Sequence, residues 1–150
     1  MQLGAHPDSF AVSLYATANA EHEDILYTVL RAGHLTPAPE HHIKRDHFPG
    51  HELILCLKGQ GYIRVQGKTH PVKEGDFVWI NCHHPHEHGA IPSDPWEVYW
   101  IRAEGPRLEQ IYTLLNAESE PVFNNLDLEA TSSVYQEIFS LLEHNATESA

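Results

Sequence analysis

From Leu26 to Arg102 the chain is a succession of short apolar or alternating runs, each closed by a turn that carries Gly or Pro. The runs are Leu26–Leu30, His51–Leu57, Tyr62–Val65, Thr69–Val72, Phe77–Ile80, His86–His88 and Glu97–Arg102. They are too short for buried helices, and their spacing is that of an antiparallel sandwich or barrel. Hairpin turns need backbone positions with positive φ, which glycine occupies at little cost. Gly59, Gly61, Gly67 and Gly75 therefore read as turn residues.

After Gly105-Pro106 the period changes. Leu108, Ile111, Tyr112 and Leu115 recur at i, i+3, i+4 and i+7, one face of a helix whose first turn accepts Pro106. A second helix is expected from near Asn125, with Asp127 and Glu129 at the positive end of its dipole. Its stripe is Val134, Ile138, Leu141 and Leu142, widened by Tyr135 and Phe139. Such a stripe packs on its own domain or on a partner subunit. The fold class read from these patterns is mainly β, a barrel followed by two C-terminal α-helices. Residues 1–24 read as an N-terminal arm, 25–104 as the barrel, 105–145 as the helical segment and 146–150 as a linker or tail.

A length of 150 residues suits one domain. Nine Lys and Arg against 21 Asp and Glu give a net charge of −12, which argues against direct contact with a phosphate backbone. Residues 108–150 hold eight of the acids and no Lys or Arg. Cys56 and Cys82 make no C-x-x-C pair and read as buried, reduced thiols. The N-terminus lacks the basic and apolar regions of a signal peptide, and no apolar run approaches the ~20 residues of a membrane span. A soluble cytoplasmic protein is the expectation. Of the 13 His, nine lie between His41 and His88.

Three stretches can carry chemistry. In His83-His-Pro-His-Glu-His88, a strand would point His86 and His88 to one face, where imidazoles can hydrogen-bond a polar ligand or hold a metal. His83 and His84, beside Pro85, read as loop. In Arg45-Asp-His-Phe-Pro-Gly-His-Glu52, the Arg45 guanidinium can donate in a fork to hydroxyl or carboxylate oxygens. Glu52 reads first as an exposed strand start, with ligand or acid/base roles as alternatives. In Asp94-Pro-Trp-Glu-Val-Tyr-Trp-Ile-Arg102, Trp96, Val98, Trp100 and Arg102 share one face and Glu97, Tyr99 and Ile101 the other. An indole lining a barrel is either core or a platform for a sugar's C–H face. There is no Gly-rich phosphate loop, nucleophile elbow or C-x-x-C zinc pattern, so no catalytic residue is nominated.

Taken in order, Ala32-Gly-His-Leu-Thr-Pro37, Arg45, Glu52 to Gly61, Gly75-Asp76, His86 and Asp94-Pro-Trp-x-x-x-Trp100 resemble the sensor domain of AraC-type bacterial transcription regulators, over about residues 26–142. The resemblance implies a cupin-like, jelly-roll barrel that binds a small effector, often a sugar, and no cofactor. It implies homodimerisation through the two helices, and DNA binding only through a separate C-terminal domain absent from this chain. The effector contacts it implies are Thr36, Arg45, His88 and Trp100, with His86 as the barrel histidine and His34 or Thr36 closing the mouth. His88 stands where the arabinose-responsive member has Tyr, and Val98 where it has His, which removes two of that member's contacts. The wider cupin superfamily implies an alternative: an enzyme such as a dioxygenase or sugar isomerase, with a divalent transition metal on His47, Glu52 and His86 and a possible contribution from His88. Arg45 occupies the first metal-ligand position of that pattern, where its charge repels a cation.

Overall fold

The structure, a computed structural model, describes residues 12–15, 27–124 and 126–149. Its strands are β1 (Val12–Tyr15), β2 (Thr28–Leu35), β3 (His42–Arg45), β4 (His51–Lys58), β5 (Gln60–Val65), β6 (Lys68–Lys73), β7 (Phe77–Asn81), β8 (His86–Ala90), β9 (Glu97–Glu104) and β10 (Val122–Phe123). The helices are α1 (Leu108–Leu114) and α2 (Leu128–Ser149). One sheet runs β1-β2-β9-β4-β7-β10 and the other β3-β8-β5-β6, and every strand pairs antiparallel. The chain crosses between sheets after β2, β3, β4, β6, β7 and β8, which is the winding of a cupin-like jelly roll.

The run Leu53 to Leu57 is apolar without alternation because the large sheet is covered on both faces. Ile54 and Cys56 enter the barrel core with Ile63, Val78, Ile80, Cys82 and Val98. Leu55 and Leu57 face α2 with Ile101, Tyr99 and Tyr135, and Leu53 packs towards Trp79 and Tyr112 under α1. Both cysteines are buried and free, as expected.

Gly59 makes the corner between β4 and β5 at φ 74°, and a Cβ there would lie 2.4 Å from the Pro95 carbonyl oxygen. Gln66 and Gly67, both at positive φ (52° and 73°), form the tight turn between β5 and β6. Gly61 differs from its expected role: it lies inside β5 without a positive φ, and its lack of a side chain makes room for the Trp96 ring.

Three further expectations are revised. The first strand does not stop at Leu30 but runs to Leu35, because pairing with β9 continues. In α1 only Leu108 and Tyr112 pack inward; Ile111 and Leu115 are exposed, since a helix this short meets the sheet along a single line. In α2 the packed stripe is Leu128, Tyr135, Ile138, Phe139 and Leu142, while Val134 and Leu141 face outward. The aromatic rings, and not the aliphatic row, set the helix rotation: Tyr99 stacks on Tyr135 and meets Phe139 edge-on. Asp127 caps α2 by accepting the Ala130 N–H at 3.1 Å. The helix continues through residues 146–149, where a tail was expected. Within the expected arm, Val12–Tyr15 add β1 to the edge of β2; the rest of 1–24 and Asn125 lie outside the described residues.

Candidate functional site

Strand alternation turns one set of side chains into the space between the sheets. β3 sends Ile43 and Arg45, β4 sends Glu52 and Ile54, and β9 sends Val98, Trp100 and Arg102. β2 sends Arg31 and Leu35, and β8 sends His88. With His41, Phe48 and Trp96 they enclose a cavity of about 230 Å³.

Arg31 reaches this cavity because of a β-bulge. Register shifts between Val29 and Arg31, so Val29 packs on the α2 side while Arg31, two residues on, faces inward. Arg31 then stands opposite Arg102, and Arg102 opposite Glu52, a charged row across β2, β9 and β4.

Glu52 is 6% exposed and His88 3% exposed, and Oε2 of Glu52 lies 3.2 Å from Nε2 of His88. This is an ion-pair contact whose angles miss a hydrogen bond. Burial opposes ionisation of Glu52, but His88, then Arg45 and His86, together hold its carboxyl down to about 2, so it is a carboxylate. Burial, then His88, lowers His41 to about 4 and keeps it neutral at pH 7. Its Nδ1 accepts the Trp96 indole N–H at 3.3 Å. The Arg45 and Arg102 guanidiniums lie 4.1 and 4.3 Å from the Phe48 ring centroid. Arg102 also donates to the Pro49 carbonyl at 2.8 Å, and burial lowers its pKa. Arg45 Nη1, Glu52 Oε2 and both ring nitrogens of His88 are buried without a hydrogen bond among the described residues.

Of the residues nominated from sequence, Arg45, His88 and Trp100 meet in the cavity. Glu52 meets them there, buried and not an exposed strand start, because β4 is central in its sheet. His86 shares the inward face of β8 but sits behind His88, its ring stacked at 6.5 Å and its Nδ1 held 2.8 Å from the His84 carbonyl. His34 points to the opposite face of β2, with Nε2 2.6 Å from Glu97 and its ring edge-on to Tyr99. Thr36 is half-buried beyond the end of β2 and is not among the cavity-lining residues. His47 is exposed, with Nδ1 3.1 Å from the His83 carbonyl.

The set His47, Glu52 and His86 is therefore not assembled, and among the described residues no group of three or more His, Cys, Asp or Glu is placed to hold a metal. Arg45 inside the same cavity further opposes a cation. These residues do not fit the superfamily's metal.

Sequence reasoning missed Arg31, His41, Ile43 and Phe48. Arg31-x-Gly33-x-Leu35 alternates like a strand, but the bulge that aims Arg31 has no local signature.

The sequence profile of the AraC-like ligand binding domain matches residues 29–150. The MmsAB operon regulatory protein of Pseudomonas aeruginosa is 31% identical over 77 residues, which cover 49% of this chain and 25% of that protein. The match thus spans about a quarter of that relative's length. Among solved structures, the plu4264 protein of Photorhabdus luminescens superposes with a TM-score of 0.50 at 18% identity, covering 79% of this chain and 92% of that one. A cupin-like protein from Thermotoga maritima gives a TM-score of 0.44 at 21% identity, covering 76% and 94%. At such identities the Photorhabdus likeness is one of fold alone. With the profile spanning nearly all of the barrel and both helices, the chain belongs to the AraC-like ligand-binding domain family.

Proposed function

We propose that this chain is the effector-sensing and dimerisation domain of a transcription regulator, that it binds a small polar metabolite of about sugar size in the barrel, and that it is not an enzyme. The observation that carries this reading is the cavity itself. It is a small, partly open space lined by Arg45, His88 and Glu52, which carry unused hydrogen-bonding atoms, and by the indoles of Trp96 and Trp100. The printed name of the Pseudomonas relative, an operon regulatory protein, supports the same class. DNA contact then belongs to another part of the regulator, in keeping with the acidic charge of this chain.

Signalling works by population shift. The strands that hold the ligand on one face hold α2 on the other: Trp100 and Arg102 alternate along β9 with Tyr99 and Ile101. A ligand that favours one seating of the inner side chains biases the seating of α2. Dimerisation uses the apolar residues that the helices leave outward, Leu114, Val134 and Leu141, which are 84, 55 and 57% exposed.

Calorimetric titration of metabolite panels into the wild-type chain, Arg45→Ala and Trp100→Ala tests the site. Both variants should weaken the hit by tenfold or more, on the order of 1.4 kcal/mol or above. Unchanged affinity in both refutes the site. Sedimentation of Val134→Lys/Leu141→Lys against wild type tests the dimer, which the double substitution should dissociate.

A further inference from the structure

Three of the chain's five arginines, Arg31, Arg45 and Arg102, line this one cavity. The chain as a whole is strongly acidic, with a net charge of −12, so the concentration of guanidinium runs against its composition. Among the described residues that line the cavity the one carboxylate is Glu52, and it is already in contact with His88. Arg31 and Arg102 are direct cross-strand partners, an arrangement in which like charges destabilise a sheet. Arg45 Nη1 is buried with no acceptor among the described residues. An orphaned charged donor costs several kcal/mol in rough terms, and a fold keeps it where something else supplies the acceptor.

A neutral hydroxyl would satisfy that N–H but bring no charge to oppose the guanidiniums of Arg45 and Arg102 between low-dielectric walls. An anion does both. A carboxylate is planar and matches the guanidinium fork, and the apolar walls of Trp96, Trp100 and Phe48 suit a carbon skeleton attached to it.

Building on the effector-site reading above, we propose that the effector is a small organic acid whose carboxylate is bound by Arg45, with Arg31 and Arg102 completing a cationic surround. The acid group is what the domain reads, so uncharged analogues of equal size bind poorly.

The test uses the whole 150-residue chain at constant ionic strength. Calorimetry and thermal shift compare matched pairs: lactate and lactamide, succinate and succinamide, benzoate and benzamide, gluconate and sorbitol. Inorganic phosphate and glycerol 3-phosphate form a separate arm. At least one acid should bind saturably and about tenfold or more tighter than its neutral partner. Arg45→Gln should weaken that acid by about tenfold or more, and Arg45→Lys by less, because Lys keeps the charge without the fork. Arg31→Gln gives a second reading should Arg45→Gln fail a circular-dichroism check of folding. If neutral partners bind as tightly and Arg45→Gln harms both equally, the acid inference is refuted while the effector site stands. If acids bind with an affinity that Arg45→Gln, Arg31→Gln and Trp100→Phe all leave untouched, both readings fail. Phosphate binding tighter than every acid, or no binding by any pair, also refutes the inference.

Discussion

The indole of Trp96 lies directly against Gly61: a Cβ built at Gly61 would fall 2.1 Å from Cε3 of the ring. Trp96 is fully buried and forms one wall of the cavity, so Gly61 sets where that wall stands. Gly61→Ala must push the ring inward or part β5 from β9. The expected cost is about 1–3 kcal/mol, read from urea denaturation, with weaker effector binding alongside. A stable variant with unchanged binding would mean that the ring has room to move.

Glu52 is the one carboxylate among the described residues that line the cavity, and its loss leaves the guanidiniums and His88 without it. Glu52→Ala should destabilise the chain by about 3–5 kcal/mol, and Glu52→Gln by about 1–3, at pH 7. Its folded pKa, about 2, lies below the ordinary 4.5. The stabilisation is therefore complete above pH 4.5 and is lost as pH falls towards 2. Denaturation midpoints between these pH values should fall steeply in wild type and less in Glu52→Gln.

His51 faces away from the cavity towards α1, its Nδ1 accepting the Trp79 indole N–H at 2.9 Å. Burial first, then the neighbouring His83 and His84, lower its pKa from 6.5 to about 4. The unfolded chain binds the proton more readily, so stability contributed by the neutral ring is present above pH 6.5 and disappears as pH falls to about 4. Each such proton gives a slope of at most ~1.4 kcal/mol per pH unit. His51→Gln, which keeps an acceptor for Trp79, should flatten the pH dependence of the urea midpoint in this window. An unaltered profile would exclude His51 as the group responsible.

Tyr135 anchors α2 by donating its hydroxyl to the Leu53 carbonyl at 2.8 Å, from a position only 4% exposed. Tyr135→Phe keeps the ring against Tyr99 and removes only the hydrogen bond, at a cost of about 1 kcal/mol. Phe139→Ala removes packing and should cost about 3 kcal/mol or more. The thermal midpoints of the two variants should rank in that order.

Much of the barrel is legible in the chain because strand and turn signals are local. Phe77 to Ile80 and the Gln66-Gly67 turn stand where their patterns place them, and the four residues that alternation puts on one face, Trp96, Val98, Trp100 and Arg102, all line the cavity. The family resemblance adds Arg45, His88 and Trp100, and all three reach the cavity. Glu52 is buried where an exposed strand start was expected, and His34 lies on the face of β2 turned from the cavity; a strand's period says which residues share a face, not which face is inward. That choice depends on the strand's neighbours, and β4 lies between β9 and β7 while β2 lies between β1 and β9.

The sequence by itself determined the antiparallel β class, the two terminal helices, the turns at Gly59, Gly67 and Gly75 and the net acidic charge. Each follows from residues within a few positions of one another, or from a sum over all of them. Only the tertiary structure decided that Arg31, Arg45 and Arg102 converge on a single cavity with Glu52. It did so through the bulge at Val29/Arg31 and the pairing of β2 and β4 with β9. Strand register joins residues far apart in the chain, and a one-residue shift turns a side chain from one face of the sheet to the other.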